Sequence, residues 1–310
     1  MRPIAITAFI LGVLALPLAG TAAVFNPAQV AADATWVVHV DVDALRASTF
    51  FQKAYAKAIE SDRRVREGLD RVRKDLGLDV EKDLHGVTVY GRRLRSNEGV
   101  LLFNAAIDAK DLAAKAKYLP DYTSIAHGKH EIHRWTDAKG KSGEHAVHAV
   151  FYASDLVVFA VQAEELKTAL DVLDGASPGL AKTSPLAVAS PLGTGFTLRA
   201  AALAEAELPF KSPLVTQSES LRVSAGEHEG EVFFEASLGM RTAETAAQVK
   251  AIVDGLRAMV ELQQGQDAMA IELIRAMQII QQDKMVHVKF RAPAAALWAM
   301  FERQWDRRKR

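Results

Sequence analysis

Histidines concentrated in one predicted β-hairpin are the side chains best suited to hold a metal ion. Imidazole nitrogens are good zinc ligands, and folding the hairpin about Gly140 would bring His133 near His148. However, His130 and His133 are an odd number of residues apart and therefore point to opposite faces of a strand. No HExxH sequence occurs. We expect a solvated polar strand and no metal site among these residues, which are His127, His130, His133, His145 and His148.

Two aspartates, Asp41 and Asp43, lie at a predicted junction between a strand and a helix. Their spacing puts both carboxylates on one side of an extended chain, where they could bind a divalent cation. At such a junction an aspartate more commonly caps the helix by accepting backbone N–H bonds. We therefore expect Asp43 to be a helix cap.

Motifs for nucleotide binding and nucleophilic catalysis are missing from the sequence. Gly140-Lys141-Ser142 matches the end of a phosphate-binding loop, but the position of the required first glycine holds Trp135. There is no G-x-S-x-G sequence and no G-x-G-x-x-G sequence after a strand. A pair of dispersed carboxylates needs no local motif, so a hydrolase stays open as an alternative. We assign no catalytic, cofactor-binding or metal-binding residue and favour a non-enzymatic protein.

Two clusters of cations have both a ligand-binding and a structural interpretation. Arginines beside the first hairpin turn could meet an anionic ligand or simply keep the turn soluble. The C-terminal run 303–310 contains Trp305 and follows Trp298; it could touch anionic lipid, or it could be a frayed tail after an amphipathic helix. The residues concerned are Arg92, Arg93 and Arg95 in the first cluster and Trp298 and Trp305 beside the second.

The composition is that of an ordinary globular protein, with 49% hydrophobic and 25% charged residues. Lys plus Arg and Asp plus Glu both number 38, so no net charge attracts nucleic acid. The chain has no cysteine, which excludes disulfides, thiolate catalysis and zinc–thiolate sites. Stability must come from the core alone, and a chain of this length buries roughly three quarters of its unfolded surface.

The N-terminus has the pattern of a secretory signal. Arg2 supplies a positive charge, residues 4–18 form an apolar run, and Thr21 and Ala23 suit a cleavage site. The apolar run of about 15 residues is shorter than the roughly 20 that a spanning helix needs. We expect export to the periplasm or the medium, with an uncleaved N-terminal anchor as the alternative. No later segment is apolar for a spanning length, so we expect no transmembrane span after cleavage.

The rest of the chain alternates strand and helix patterns. A strand at 36–42 precedes two helices, of which the second carries the stripe Val65, Leu69, Val72 and Leu76 on a charged cylinder. We expect the two helices to pair in antiparallel fashion. Strands follow at 86–94 and 99–107, then a helix capped by Asp108, the hairpin at 130–153, a strand at 155–161 and another helix.

After a linker rich in Ala, Ser, Pro and Gly at 175–195, the pattern starts again. Strands are predicted at 196–202, 221–228 and 231–238. A helix capped by Thr242 follows, apparently continued after Gly265, and a last hairpin at 278–291 precedes the final helix. The strand and helix at 100–119 match those at 232–260, and the same holds for 158–173 and 288–301. The second half has no counterpart of the helix pair.

These patterns predict an α+β fold of two duplicated units, each an antiparallel sheet with helices packed on one face. The predicted division is a signal peptide at 1–23, a first unit at 24–178 with the extra helix pair, and a second unit at 179–310. The alternative interpretation is that similar successions of strands and helices occur in any α+β protein without a duplication.

Three segments resemble a family of uncharacterised exported bacterial proteins that share a signal peptide and duplicated β/α repeats. They are 32–41 (ADATWVVHVD), 87–91 (VTVYG) and 170–175 (LDVLDG). The resemblance implies export and the repeat fold, and it brings no catalytic residues. We expect an exported binding or scaffolding protein with an unknown protein or envelope partner. A carrier of a hydrophobic ligand between sheet and helices is a further alternative to the hydrolase.

The export prediction can be tested directly. Cleavage should follow Ala23, because Thr21 and Ala23 are the small residues that end the signal pattern. N-terminal sequencing of the protein isolated from its host should therefore begin at Val24. A chain that keeps residues 4–18 would contradict the prediction.

Overall fold

The structure is a computed structural model. It describes residues 24–94, 98–137, 145–187, 196–206, 217–263 and 268–307. The strands within these ranges are β1 (Trp36–Asp41), β2 (Leu84–Gly91), β3 (Val100–Ala105), β4 (Thr123–His127), β5 (His130–Asp137), β6 (His145–Ala153), β7 (Leu156–Ala160), β8 (Phe196–Leu203), β9 (Ser218–His228), β10 (Glu231–Met240), β11 (Gln278–Gln282) and β12 (Met285–Pro293).

Nine α-helices occur in the same ranges. They are α1 (Val42–Ala47), α2 (Thr49–Ser61), α3 (Arg63–Leu76), α4 (Val80–Asp83), α5 (Ala109–Ala116), α6 (Ala163–Leu173), α7 (Ala243–Gln263), α8 (Ala268–Arg275) and α9 (Ala294–Arg307). The signal segment 1–23 lies outside the described residues.

All twelve strands form one antiparallel sheet, in the order β11-β12-β10-β9-β8-β1-β2-β3-β7-β6-β5-β4. Outward from the centre, one side reads β1, β2, β3, β7, β6, β5, β4, and the other reads β8, β9, β10, β12, β11. On both sides the strand beside the third is not the next one in the chain. Between β3 and β7 the chain forms α5 and the strands β4 to β6, and between β10 and β12 it forms α7, α8 and β11. The predicted α+β class and pseudo-repeat are confirmed, including the matches of β3 with β10 and of β7 with β12.

The two halves of the sheet join where β1 pairs with β8. The pairing is antiparallel and places Trp36 opposite Ala202 and Val38 opposite Ala200. Backbone hydrogen bonds thus run without a break from one edge of the sheet to the other, and neither opening strand is left as an open edge.

Each face of the sheet carries its own core. Successive residues of a strand point to opposite faces, so Leu102 and Phe103 belong to different cores. Leu102 packs with Leu166 and Leu170 of α6, on what we call the α6 face. Phe103 packs with Tyr55 of α2, on what we call the α2 face. Most helices lie on the α2 face, and α6 covers the other face of the first unit.

The first of the two helices predicted after β1 is broken at Ser48 into α1 and α2. Ser48 ends α1 and caps α2, its side-chain oxygen accepting the N–H of Phe51 at 3.1 Å. The serine competes for helical backbone groups and therefore turns the chain at this point. The strand β4 and the short helix α4 were not predicted, because segments of four or five residues are too short to show a period.

The predicted pair of helices is confirmed as α2 and α3. Asp62 separates them and caps α3, and Gly77 ends α3 with a φ of 69°, a left-handed conformation that suits glycine. Leu69 and Val72 of α3 pack at the edge of the core that contains Tyr55. The charged remainder of α3 faces solvent.

This packing predicts unequal effects of two substitutions on α3. Leu69→Ala should lower the free energy of unfolding by about 1–2 kcal/mol, because Leu69 is only half-buried and a fully buried leucine costs about 2–5. Arg66→Glu on the exposed side should change it by less than about 0.5 kcal/mol. Urea unfolding measures both, and equal effects would contradict the docking of this stripe.

Candidate functional site

Two of the hairpin histidines bind carboxylates on the last turn of α6. His127 Nε2 lies 2.8 Å from Asp171 Oδ1, and His130 Nε2 lies 2.9 Å from Asp174 Oδ2. The hairpin of β4 and β5 is thereby fastened to the C-terminal end of α6. These histidines hold the fold together rather than facing one ligand.

Asp174 is the centre of this attachment. Lys129 Nζ lies 3.0 Å away, and the Tyr152 hydroxyl donates to Asp174 at 3.0 Å while its ring stacks on His130 at 5.1 Å. Burial alone would raise the pKa of Asp174, but the hydrogen bonds from Lys129, His130 and Tyr152 outweigh it and lower the pKa to about 2. The carboxylate is therefore ionised at any ordinary pH.

The other two described histidine side chains lie apart from each other. The register places Ala149 opposite His133 and Arg134 opposite His148, so the expected approach of the two imidazoles does not occur. His133 Nδ1 meets the Tyr122 hydroxyl at 2.9 Å, and His148 Nδ1 donates to a backbone carbonyl at 3.1 Å. Burial lowers the pKa of both histidines. Within the described ranges no group of three metal-ligating side chains forms.

The two aspartates at the end of β1 exchange the roles that the sequence suggested. Asp41, not Asp43, caps the following helix, accepting the N–H of Ala44 at 2.9 Å. The helix begins at Val42, two residues earlier than a cap at Asp43 would place it, and the cap is therefore Asp41. Asp43 instead binds the buried Arg46 and His85, the latter at 3.1 Å.

The cationic clusters are also largely engaged within the chain. Arg93 pairs with Glu98 at 2.6 Å, and Arg92 lies 3.8 Å from Asp33. Arg95, the Gly140-Lys141-Ser142 tripeptide and residues 308–310 lie outside the described residues. Trp298 of α9 contacts Phe50 of α2, with ring centroids 6.1 Å apart. This tryptophan therefore joins α9 to α2.

A small apolar hollow lies at the centre of the sheet, where the two units meet. We call it the central hollow; its volume is about 110 Å³. The hollow exists because β8 contributes only alanines, Ala200 to Ala202, opposite the larger side chains of β1. Its wall includes Trp36, Val38, Leu94, Ala200, Leu221 and Val223.

An apolar surface lies beside the hollow. Leu198 precedes Ala200 by two residues on the same face of β8, and Phe234 of β10 lies in the same row two strands away, with Ala225 of β9 between them. Leu198 and Phe234 are 37% and 38% exposed. Trp36 in the wall is 7% exposed, and its buried indole N–H finds no acceptor among the described residues.

Sequence reasoning missed this hollow. Its residues come from four separate segments, and each segment by itself has the pattern of an ordinary half-buried strand. The only local signal is the run Ala200-Ala201-Ala202, three small residues in a strand that would normally hold larger ones.

No protein-family model matches the chain, and no curated protein matches it in sequence. Among solved structures, crystal form III of TP0453 is similar, with a TM-score of 0.51 and 10% sequence identity over 89% of this chain and 97% of that chain. Crystal forms I and IV of TP0453 give TM-scores of 0.49 at 11% and 9% identity, each over 90% of this chain and over 98% and 97% of TP0453. The similarity to form III shows a shared fold that extends over nearly all of both chains.

None of the helices in the described ranges combines the length and the apolar character needed to cross a bilayer.

The Asp174 cluster predicts a pH-dependent contribution to stability. The pKa of Asp174 is about 2 in the folded state and about 3.9 in an unfolded chain, so the contribution is complete above pH 4 and is lost as the pH falls towards 2. Asp174→Asn should therefore unfold at lower urea than the wild type at pH 6, and the gap should shrink between about pH 4 and about pH 2.

The matched control is Asp155→Asn, which alters an exposed aspartate in the turn between β6 and β7. A gap between wild type and Asp174→Asn that stayed constant across this pH range would contradict the role of the cluster.

Proposed function

We propose that this chain is an exported, non-enzymatic binding protein that accepts one apolar side chain of a partner protein in the central hollow. The observation that carries the proposal is the hollow itself, an apolar depression at the junction of the two units. An exposed apolar patch on a folded protein commonly marks an interaction site.

The volume of the hollow selects the kind of ligand. Pockets for whole small molecules usually measure about 300–1,000 Å³, whereas a cavity of about 150 Å³ holds a benzene molecule. At about 110 Å³, the hollow suits one ring or one branched alkyl group. This supports an anchor residue of a protein partner rather than a complete hydrophobic cargo.

The surroundings of the hollow fit such an anchor. The exposed apolar residues Leu198 and Phe234 would be covered by the segment that carries the anchor. Binding hot spots in proteins typically consist of one buried anchor in a pocket surrounded by contacts that exclude water.

A larger recess of about 430 Å³ lies between α5 and the histidine hairpin, and it would be the place for an enzyme site. It is wide open to solvent, and its ionisable side chains include Lys129 and His130, which both bind Asp174. Groups held in this way are poorly placed to transfer protons to a substrate. The recess therefore gives the hydrolase alternative little support.

Export rests on the signal pattern at residues 1–23. The resemblance to exported bacterial proteins points the same way. A location in the periplasm or outside the cell implies an envelope protein as the partner.

A filling substitution tests the proposed anchor site. Peptides selected from a displayed random library against the wild-type protein should share one large apolar residue. Ala200→Leu should weaken their binding by about tenfold or more, because burying such a side chain contributes about 1.5–3 kcal/mol. Isothermal titration with the selected peptides measures the loss.

Ala126→Leu is the matched control, since Ala126 is an exposed strand residue on β4, outside the hollow. It should bind the same peptides as the wild type does. Peptides that bind Ala200→Leu equally well, or that have no apolar residue in common, would overturn the proposal. Tight binding of free fatty acid, lost in Ala200→Leu, would instead identify a carrier.

A further inference from the structure

The helix α7 keeps all of its internal charges on one side. Between Thr245 and Gln263 its ionisable residues are Lys250, Asp254, Arg257 and Glu261, spaced by four, three and four residues, which is one stripe of a helix. All four are engaged in ion pairs: Lys250 and Arg257 with Asp254 at 2.6 and 3.4 Å, and Glu261 with Arg275 of α8 at 2.6 Å.

The side chains on this charged stripe are only about one-third exposed, because α8 folds back along it. Arg257 also donates to the backbone carbonyl of Met277 at 3.0 Å. The polar side of the helix is therefore turned towards the protein, and its charges are largely satisfied there.

The solvent-facing side of α7 is apolar instead. Ile252, Leu256 and Met259 follow one another at helical spacing and are 48%, 50% and 53% exposed. We call them the α7 stripe. The spacing of five apolar residues predicts one buried face for this helix; they are Ala246, Val249, Val253, Leu256 and Val260. Only the first three pack against the sheet. The C-terminal half of the helix extends beyond that contact.

Small residues flank the α7 stripe. Ala247, Ala251 and Gly255 lie four residues apart on the exposed surface, and a Cβ atom added at Gly255 would meet no other atom within 4 Å. Small residues at this spacing allow two helices to approach closely. Glycine inside a helix costs about 1 kcal/mol relative to alanine, so its presence calls for a reason.

We propose that the α7 stripe is a homodimer interface, in which α7 of one copy packs against α7 of a second copy about a two-fold axis. Such an interface brings each residue against the same surface of the partner, so any charge on it would face its own kind. The α7 stripe carries no ionisable residue and is therefore self-complementary. The proposal is independent of the central hollow, which lies on other residues.

Charge also argues against a membrane surface as the occupant. Helices that lie in a bilayer interface usually present free lysines and arginines on their polar side. The two cations within α7, Lys250 and Arg257, both pair with Asp254. A second copy of the same uncharged stripe is the better fit.

The size of the surface sets the expected strength. Residues 247–260 of α7 form about 20 Å of helix that is about 10 Å wide, which gives a footprint of about 200 Å². A standard interface buries about 800 Å² on each partner. The dimer should therefore be weak.

Sedimentation equilibrium of the protein isolated with its native N-terminus tests the proposal. The wild type should pass from monomer to dimer as its concentration rises from micromolar to sub-millimolar. Leu256→Glu should stay monomeric throughout, since the charge would face its own copy. Tyr118→Glu, at a 91% exposed apolar site outside α7, should dimerise like the wild type. Unchanged thermal unfolding would show that each variant is folded.

Cross-linking provides a second readout, because the chain has no cysteine of its own. Gly255→Cys should form a disulfide-linked dimer on mild oxidation, whereas Tyr118→Cys should not. A wild type that stays monomeric and uncross-linked would overturn the proposal. Flotation of the wild type with phosphatidylcholine–phosphatidylglycerol vesicles, lost in Leu256→Glu, would overturn it in favour of a membrane surface.

The hollow-filling variant Ala200→Leu separates this proposal from the previous one. It should dimerise like the wild type even though it loses the anchor peptides. A variant that lost both properties together would show that the two surfaces are one site and would overturn the assignment to α7.

Discussion

The pairing of β1 with β8 is the interaction on which the rest of the structure depends. Each unit begins with one of these strands, and each would otherwise leave its first strand as an open edge. Their pairing makes one sheet of twelve strands, on which the helices of both units pack. The same junction produces the central hollow, because the alanines of β8 stand beside the larger side chains of β1.

A single carboxylate strengthens this junction from the second unit. Glu227 of β9 accepts hydrogen bonds from the Ser48 and Thr49 hydroxyls and from the N–H of Phe50, at the N-terminus of α2. Burial opposes ionisation of Glu227, but these donors together with the backbone of α2 lower its pKa. The extra helices of the first unit are thus held by the second, which explains why α2 and α9 also meet through Phe50 and Trp298.

Many polar groups in this molecule bind one another. The histidines, Asp174 and the charges of α7 are paired inside the fold, whereas the hollow and the C-terminal half of α7 present apolar side chains to solvent. Pairing stabilises the polar groups within the fold, and exposed apolar side chains are stabilised only when another surface covers them.

Local patterns in the sequence were enough to predict most of the strands and helices, the repeat, and the helix caps Asp108 and Thr242, because periods and caps depend on neighbouring residues. Other features depended on tertiary contacts. They are the break at Ser48, the choice of Asp41 over Asp43 as a cap, and the exposure of Leu256. The same is true of the hollow, whose wall comes from segments about 160 residues apart. Strand order and register decide which side chains become neighbours across the sheet. Neither can be predicted from the pattern of a single segment.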